Sequence, residues 1–174
     1  LYERTRDGLA AVDPTGRIVD CNSVFLEMLG YARDELSRLT LADITPPQWQ
    51  DPERQDAIRG QIDTRGYSDV FEQEYTRRDG SVFPVEVQGY PTRDSNGRPT
   101  GTWVVVRDIT ERKQAELDVK ASERNYREIF NGTTEAIFIH HPQTGAILDV
   151  NQTMLRMYGY SHEEALRLTV GDIS

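Results

Sequence analysis

Residues 15–44 read TGRIVDCNSVFLEMLGYARDELSRLTLADI, and residues 144–173 read TGAILDVNQTMLRMYGYSHEEALRLTVGDI, a close copy at a constant offset of 129 residues. The offset superposes Gly16 on Gly145, Asp20 on Asp149, Asn22 on Asn151, Gly30 on Gly159, Tyr31 on Tyr160, Glu35 on Glu164, Leu39 on Leu168, Asp43 on Asp172 and Ile44 on Ile173. One extra turn residue, Gln143, brings Asp7-Gly8-Leu9 into line with Glu135-Ala136-Ile137. Solenoid repeats have periods of about 20–50 residues, so a spacing this long implies duplication of a whole domain. A chain of 174 residues accommodates one complete domain of about 100–150 residues and a remainder. The second copy is therefore expected to be only the opening half of the unit, completed by chain beyond Ser174 or by packing on another copy.

Each copy opens with a short apolar run, a Pro/Gly turn (Asp13-Pro14-Thr15-Gly16 in the first) and a second run over Arg17 to Asp20. This pattern predicts a β-hairpin. Asn22 then precedes the stripe Phe25, Leu26, Met28, Leu29, which Gly30 ends; an Asn N-cap and a Gly stop bound a short helix. Polar helical pieces follow from Asp34 to Thr45, then the Pro46-Pro47 break and a helix from about Pro52 to Asp63. Between residues 67 and 109, the turns Asp79-Gly80 and Asp94-Ser95-Asn96-Gly97 separate three further strands. Phe83, Val85 and Val87 alternate with Pro84, Glu86 and Gln88, as in an antiparallel sheet that is buried on one face and wet on the other. Phe71, Gln73 and Tyr75 form an inward set; in the last strand, Trp103, Val105 and Arg107 compete with Thr102, Val104 and Val106 for the core face. The expected architecture is α+β: a five-stranded antiparallel sheet with short helices on one face.

From Thr110 to Gly132 the text is rich in helix formers. A long helix is expected, capped by Thr110, with Glu116–Lys120 and Glu123–Arg127 as supporting pairs. Ala115, Val119, Ser122, Tyr126 and Ile129 recur at 4-3-4-3 spacing, the narrow seam of a coiled coil between two chains. The alternative is that this stripe packs on its own sheet. The expected division is a domain at 1–109, a helical linker at 110–131 and the partial copy at 132–174.

Taken in order, the strand pair, the Asn-capped helix, Gly30-Tyr31 with its acidic helix, RRDGSVFPVEV, the Asn96-Gly97 turn and VVVRDITERKQAE resemble a PAS domain with its C-terminal PAC motif. The resemblance covers residues 7–113 completely and 133–174 as the first half of a second copy. It implies a pocket between sheet and helices that holds a small-molecule ligand or cofactor, with Phe25, Leu29, Trp49, Phe71, Tyr75, Val85 and Val87 as candidate lining residues. Plain core is the first reading of each, since a domain this small needs nearly all its large apolar residues for packing. It also implies that Asp108, Ile109 and Thr110 couple the last strand to the signalling helix, where the bland reading is a simple helix cap.

The identity of a cofactor stays open. Haem sensors of this family use an axial histidine, and residues 1–132 contain none. Flavin-adduct sensors carry their cysteine in an NCRFLQ-type motif on a pocket helix, whereas Cys21 sits in VDCNSVF at a strand end, a small buried filler. Both resemblances argue against haem and against a covalent flavin adduct. His140, His141 and His162 all fall in the second copy. The first two are expected side by side on a strand, pointing to opposite faces, so no metal site is expected.

A formal net charge of −9 argues against a nucleic-acid surface, which needs clustered cations. The longest apolar runs, such as Trp103 to Val106, fall far short of the roughly 20 residues that span a bilayer. The lone cysteine allows no internal disulfide, in keeping with a reducing, cytoplasmic setting. No P-loop, GxSxG, HExxH or Cys/His pair is present, so this segment is expected to be non-catalytic. The function expected is sensory input and relay to an output domain further along the same chain, as a homodimer. A sensor histidine kinase is the first reading for the whole protein, a diguanylate cyclase or phosphodiesterase the second, and a ligand-free dimerisation scaffold the alternative of another class.

Overall fold

The structure is a computed structural model that describes residues 6–173. The first five residues of the expected 1–109 domain and Ser174 lie outside it. The chain divides into two compact units, Leu1–Gln114 and Ala115–Ser174.

The first unit begins with the hairpin β1 (Gly8–Val12) and β2 (Ile18–Cys21), followed by α1 (Ser23–Leu29) and α2 (Arg33–Leu36). Two 3-10 turns, Ala42–Ile44 and Pro47–Trp49, lead to α3 (Pro52–Arg65), and the sheet is completed by β3 (Phe71–Thr76), β4 (Val82–Arg93) and β5 (Pro99–Asp108). The strand order is β2-β1-β5-β4-β3, and every pairing is antiparallel. The first strand thus inserts beside the last, closing the sheet from both ends of the sequence. Asp51 caps α3 by accepting from the Glu53 amide, and Gly66 stops it at φ 80°. The helix runs two residues past the expected Asp63 because Gly66, with no Cβ to clash, is the first residue free to adopt the left-handed turn.

Register decides which set of β5 faces the core. Val87 lies opposite Val106 and Gly89 opposite Val104, and residues directly opposite each other share a face. Val104 and Val106 are therefore buried with Val85, Val87, Phe83 and Tyr75, beneath Phe25, Leu29, Leu36 and Ile44. Trp103, Val105 and Arg107 take the outer face. There Arg107 donates two hydrogen bonds of 2.9 Å to the Asp7 carboxylate.

Asn22 holds the opening of this unit together. It is fully buried, and its Oδ1 accepts from the amides of Phe25 (3.0 Å) and Leu9 (2.9 Å) while its Nδ2 donates to the Asp7 carbonyl (3.0 Å). A single side chain thus caps α1 and ties it to β1. Gly8 makes the close approach possible, since a Cβ there would meet Phe25 Cδ2 at 3.0 Å and Phe25 Cα at 3.3 Å.

α4 (Thr110–Gly132) contains the boundary between the units. The second unit continues with β6 (Phe138–His140), β7 (Ile147–Val150), α5 (Gln152–Tyr158), α6 (His162–Ala165) and α7 (Val170–Ile173). It repeats the capping and bridging bonds of the first unit's opening. Asn151 caps α5 through the Met154 amide and accepts from the Ile137 amide, both at 2.9 Å, and donates to the Glu135 carbonyl at 2.8 Å. The Arg17–Thr40 bridge recurs as Ala146–Thr169. A smaller core gathers Ile147, Val150, Met154 and Ala165.

Replacing Asn22 with Ala removes a cap and takes the partner from the partly buried Leu9 amide, so it is expected to cost about 2–4 kcal/mol. Urea unfolding of the chain checks this, and Asn151→Ala should destabilise the second unit in the same way.

Candidate functional site

Between α3, the two 3-10 turns and the inner face of the sheet lies a cavity of about 430 Å³, within the range of about 300–1,000 Å³ typical of small-molecule sites. Trp49, Phe71, Tyr75 and Val87 line it, with Ile58 and Ile62 from α3 and Thr102 and Val104 from β5. The other three pocket candidates, Phe25, Leu29 and Val85, do not reach it. Each has no exposed surface and packs in the core, since the α1 stripe is consumed by burying β1 and the centre of the sheet. Sequence reasoning passed over α3 as a wall, because its sequence, PERQDAIRGQIDTR, has only Ile58 and Ile62 as large apolar residues. Gly89 explains how so polar a helix packs closely: a Cβ there would lie 2.8 Å from Ile62 Cδ1.

Polar groups enter this cavity from two sides. The Arg54 guanidinium lies 4.9 Å from the Trp49 ring and 5.2 Å from that of Phe71, and donates to the Glu72 carbonyl at 2.8 Å. The Trp49 indole N–H donates to Glu74 at 2.9 Å. Tyr75 is fully buried, and its hydroxyl has no hydrogen-bond partner among the described residues. Burial pushes its phenol pKa up; the Gln73 side chain on the same face lowers it by a lesser amount without reaching hydrogen-bond geometry.

The junction after β5 is the second constellation. Asp108 Oδ1 accepts from the Thr110 amide at 2.8 Å and from the Thr110 hydroxyl at 2.5 Å, so the capping acceptor is Asp108 and the Thr110 hydroxyl is a donor, reversing the role expected of Thr110. A carboxylate accepts two bonds here where a hydroxyl would offer weaker ones. Ile109 is buried, donates its amide to the Pro84 carbonyl at 3.1 Å and accepts from the Lys113 amide at 2.9 Å. Asp108 Oδ2 receives Arg77 Nη2 at 2.9 Å. Arg77 also donates to the Met28 carbonyl at the end of α1 and stacks 3.6 Å from the Phe83 ring. Farther along the first turn, Arg112 bridges Glu72 and Glu86, both at 2.7 Å, and Lys113 reaches Glu72 at 2.6 Å. The start of α4 is thereby fastened to β3, β4 and, through Arg77, to α1. Arg77 and Arg112 had no periodic signature in the sequence, because their partners lie 31 and 40 residues away.

All five seam residues, Ala115, Val119, Ser122, Tyr126 and Ile129, are exposed. Val119 and Ile129 are 67% and 65% exposed, so the stripe does not pack on a sheet among the described residues. In the second unit, His140 ends β6, but His141 lies beyond it in the turn, contrary to the expected strand pair. Its carbonyl accepts from the Gly145 amide at 2.9 Å, closing the Pro142-Gln143-Thr144 turn. His162 stands where the first copy has Arg33, and each faces the equivalent carboxylate: His162 Nε2 is 3.1 Å from Asp149, and Arg33 Nη1 is 3.2 Å from Asp20.

A five-stranded antiparallel sheet with helices over one face, a pocket between them and a helix leaving the last strand defines a class of sensory domains. The family model described as PAS domain matches residues 6–111, and a second PAS domain model matches residues 124–174. This chain belongs to the PAS domain family. It is 29% identical over 171 residues to the methyl sulfide methyltransferase-associated sensor of Methanosarcina acetivorans, covering 97% of this chain and 15% of that protein. It is 25% identical over 169 residues to sporulation kinase E of Bacillus subtilis, covering 91% and 20%. It is 30% identical over 112 residues to the "Probable diguanylate cyclase DgcE" of Escherichia coli, covering 63% and 10%. The chain therefore spans a fifth or less of the length of these relatives. Among solved structures, the PAS domain of a Colwellia psychrerythraea protein superposes with a TM-score of 0.56 at 21% identity, over 63% of this chain and 92% of that one. Its likeness is one of fold.

Burial pushes the Asp108 carboxyl up, but the Thr110 hydroxyl and amide and the Arg77 guanidinium outweigh it and hold it below the usual carboxylate range. A depressed folded pKa means the junction's stabilisation is complete above the unfolded pKa of about 3.9 and is lost as pH falls through the lower folded value. Amide exchange at Thr110 should therefore stay slow from neutrality to about pH 5 and accelerate in stronger acid. Asp108→Asn should abolish that acid step, as hydrogen exchange followed by NMR would show.

Proposed function

We propose that this chain is the sensory input and relay segment of a larger signalling protein. In this reading the first PAS unit binds a small molecule in its cavity, and the Asp108–Thr110 junction passes the occupied state to α4. The observation that carries it is the continuous chain of contacts from α1 through Arg77 to Asp108 and on to the first turn of α4. A ligand that alters how α1 or the sheet packs changes the geometry in which that turn is held. The cleft between α3 and the sheet weighs against the ligand-free scaffold reading, which needs no such space.

The output lies elsewhere in the same polypeptide, and a sensor histidine kinase is the first reading, supported by the kinase among the relatives. A cyclase output is the second, favoured by the similarity to the diguanylate cyclase. This segment itself works without catalysis. Among the described residues no helix is long and apolar enough to cross a membrane; a cytoplasmic placement of the sensing unit is part of the proposed reading. Two chains associate along the Ala115–Ile129 seam as a homodimer, and the helix pair moves between two packings that differ by a few kcal/mol, about the span a differential ligand affinity can shift.

Asp108→Ala in the full-length protein should uncouple output from input while ligand affinity and dimer content stay near wild type; signalling at the wild-type level from that variant would refute the relay. Val119→Asp together with Ile129→Asp places charge in the seam and should convert dimer to monomer in sedimentation velocity, with the circular dichroism of the sheet unchanged.

A further inference from the structure

Pro46 and Ser68 are both buried, and among the described residues between them Ile62 alone is buried. The two ends of this stretch are fixed. Ile44 and Pro46 are packed at its start. At its end Ser68, with no exposed surface, donates its amide to the Gly89 carbonyl at 2.9 Å and accepts the Gly89 amide on its hydroxyl at 2.8 Å. Gly66, left-handed at φ 80°, separates α3 from that anchor. Ile62 rests against Gly89, where a Cβ would lie 2.8 Å from its Cδ1, so the buried contact of α3 sits in its last turn, beside the anchor. Segments that bury few apolar side chains open locally while the rest of the domain stays folded.

The remainder of the stretch is held by side chains on one strand, β3, which lies at the edge of the sheet. The Trp49 indole N–H and the Gln48 amide donate to the same Glu74 oxygen at 2.9 and 3.1 Å. Arg54 lies over the Trp49 and Phe71 rings and donates to the Glu72 carbonyl at 2.8 Å. The Glu72 carboxylate, in turn, holds Arg112 at 2.7 Å and Lys113 at 2.6 Å. One residue of β3 therefore meets α3 through its backbone and the first turn of α4 through its side chain. Trp49, Arg54, Ile58 and Ile62 all line the cleft, so whatever fills it touches this stretch.

We propose that residues 47–67 form a gate over the cleft, hinged at Gly66 and latched on β3, and that the latch reports its state to α4 through Glu72. Closed, Arg54 fixes the Glu72 backbone and with it the point from which the carboxylate reaches Arg112 and Lys113. Open, that point is free to shift with the edge strand. This route is separate from the Arg77–Asp108 junction. Its use in sensing rests on the reading of the cleft as a ligand site, but the gate and its report are testable without a ligand.

The test is hydrogen exchange of the whole chain, followed residue by residue by NMR. In Arg54→Ala the amides of α3 should exchange together, roughly threefold to tenfold faster, the effect of one hydrogen bond, while those of Val85, Val104 and Val106 keep their rates. Ala is the better helix former, so helix propensity acts in the opposite direction and does not explain an acceleration. Glu74→Ala, outside the cleft lining, should speed α3 in the same way. In both variants the Lys113 amide should also exchange faster. Glu72→Ala keeps the carbonyl that Arg54 uses; it should speed Lys113 by itself and abolish the further effect of Arg54→Ala there, with the effect on α3 retained. Acceleration confined to the first turn of α3 would mean end fraying and would overturn the gate. Joint opening of α3 with Lys113 unmoved would overturn the report to α4 and leave both the cleft as a ligand site and the Arg77–Asp108 relay standing. Unchanged rates throughout both latch variants would overturn the whole proposal.

Discussion

The buried amide of Asn22 is the constraint on which the first unit depends. β1 is separated in sequence from its β5 neighbour by most of the domain, so its local anchor is α1. Asn22 makes that anchor with both ends of its amide, accepting two backbone N–H groups and donating to a carbonyl. Asn151 makes the equivalent bonds in the second unit. No other side chain of that size offers two acceptor lone pairs and two donors without charge, and a charged substitute at a site with no exposed surface would be costly.

The second organising element is electrostatic and lies on the opposite side of the sheet from the cavity. Exposed ion pairs contribute little individually, about 0–1 kcal/mol, so the clamp from Arg112 and Lys113 to Glu72 and Glu86 is no large source of stability. Its effect is positional. Several weak bonds around one helical turn restrict its direction, and each can exchange at small cost. Arg77 differs because its guanidinium also stacks on Phe83 and bonds the end of α1, so it links the two faces of the sheet.

Local patterns made much of this legible. The hairpin turns, the Asn caps, the Gly stops and the alternation in β4 all act over a few residues and appear in the text as composition and period. The duplication identified the capping Asn independently, because Asn22 and Asn151 recur at the same point of both copies. The cavity was only half visible. Trp49, Phe71, Tyr75 and Val87 line it, whereas Phe25, Leu29 and Val85 have the same apolar character but are spent on packing. Apolarity alone does not say whether a side chain faces another side chain or a void.

The sequence by itself determined the element types, the five-strand α+β architecture, the duplication and the long charged helix after Asp108, since each follows from short-range propensity or from self-similarity. Tertiary structure alone decided which face of β5 is buried, because Val104 and Trp103 sets both alternate and only pairing with Gly89 and Val87 separates them. It alone made α3 a cavity wall, through a missing Cβ at Gly89. It also left the Tyr75 hydroxyl without a partner and gave Asp108 its partner in Arg77. Those outcomes depend on which distant residues the fold brings within a few ångströms, and no local period in the chain carries that information.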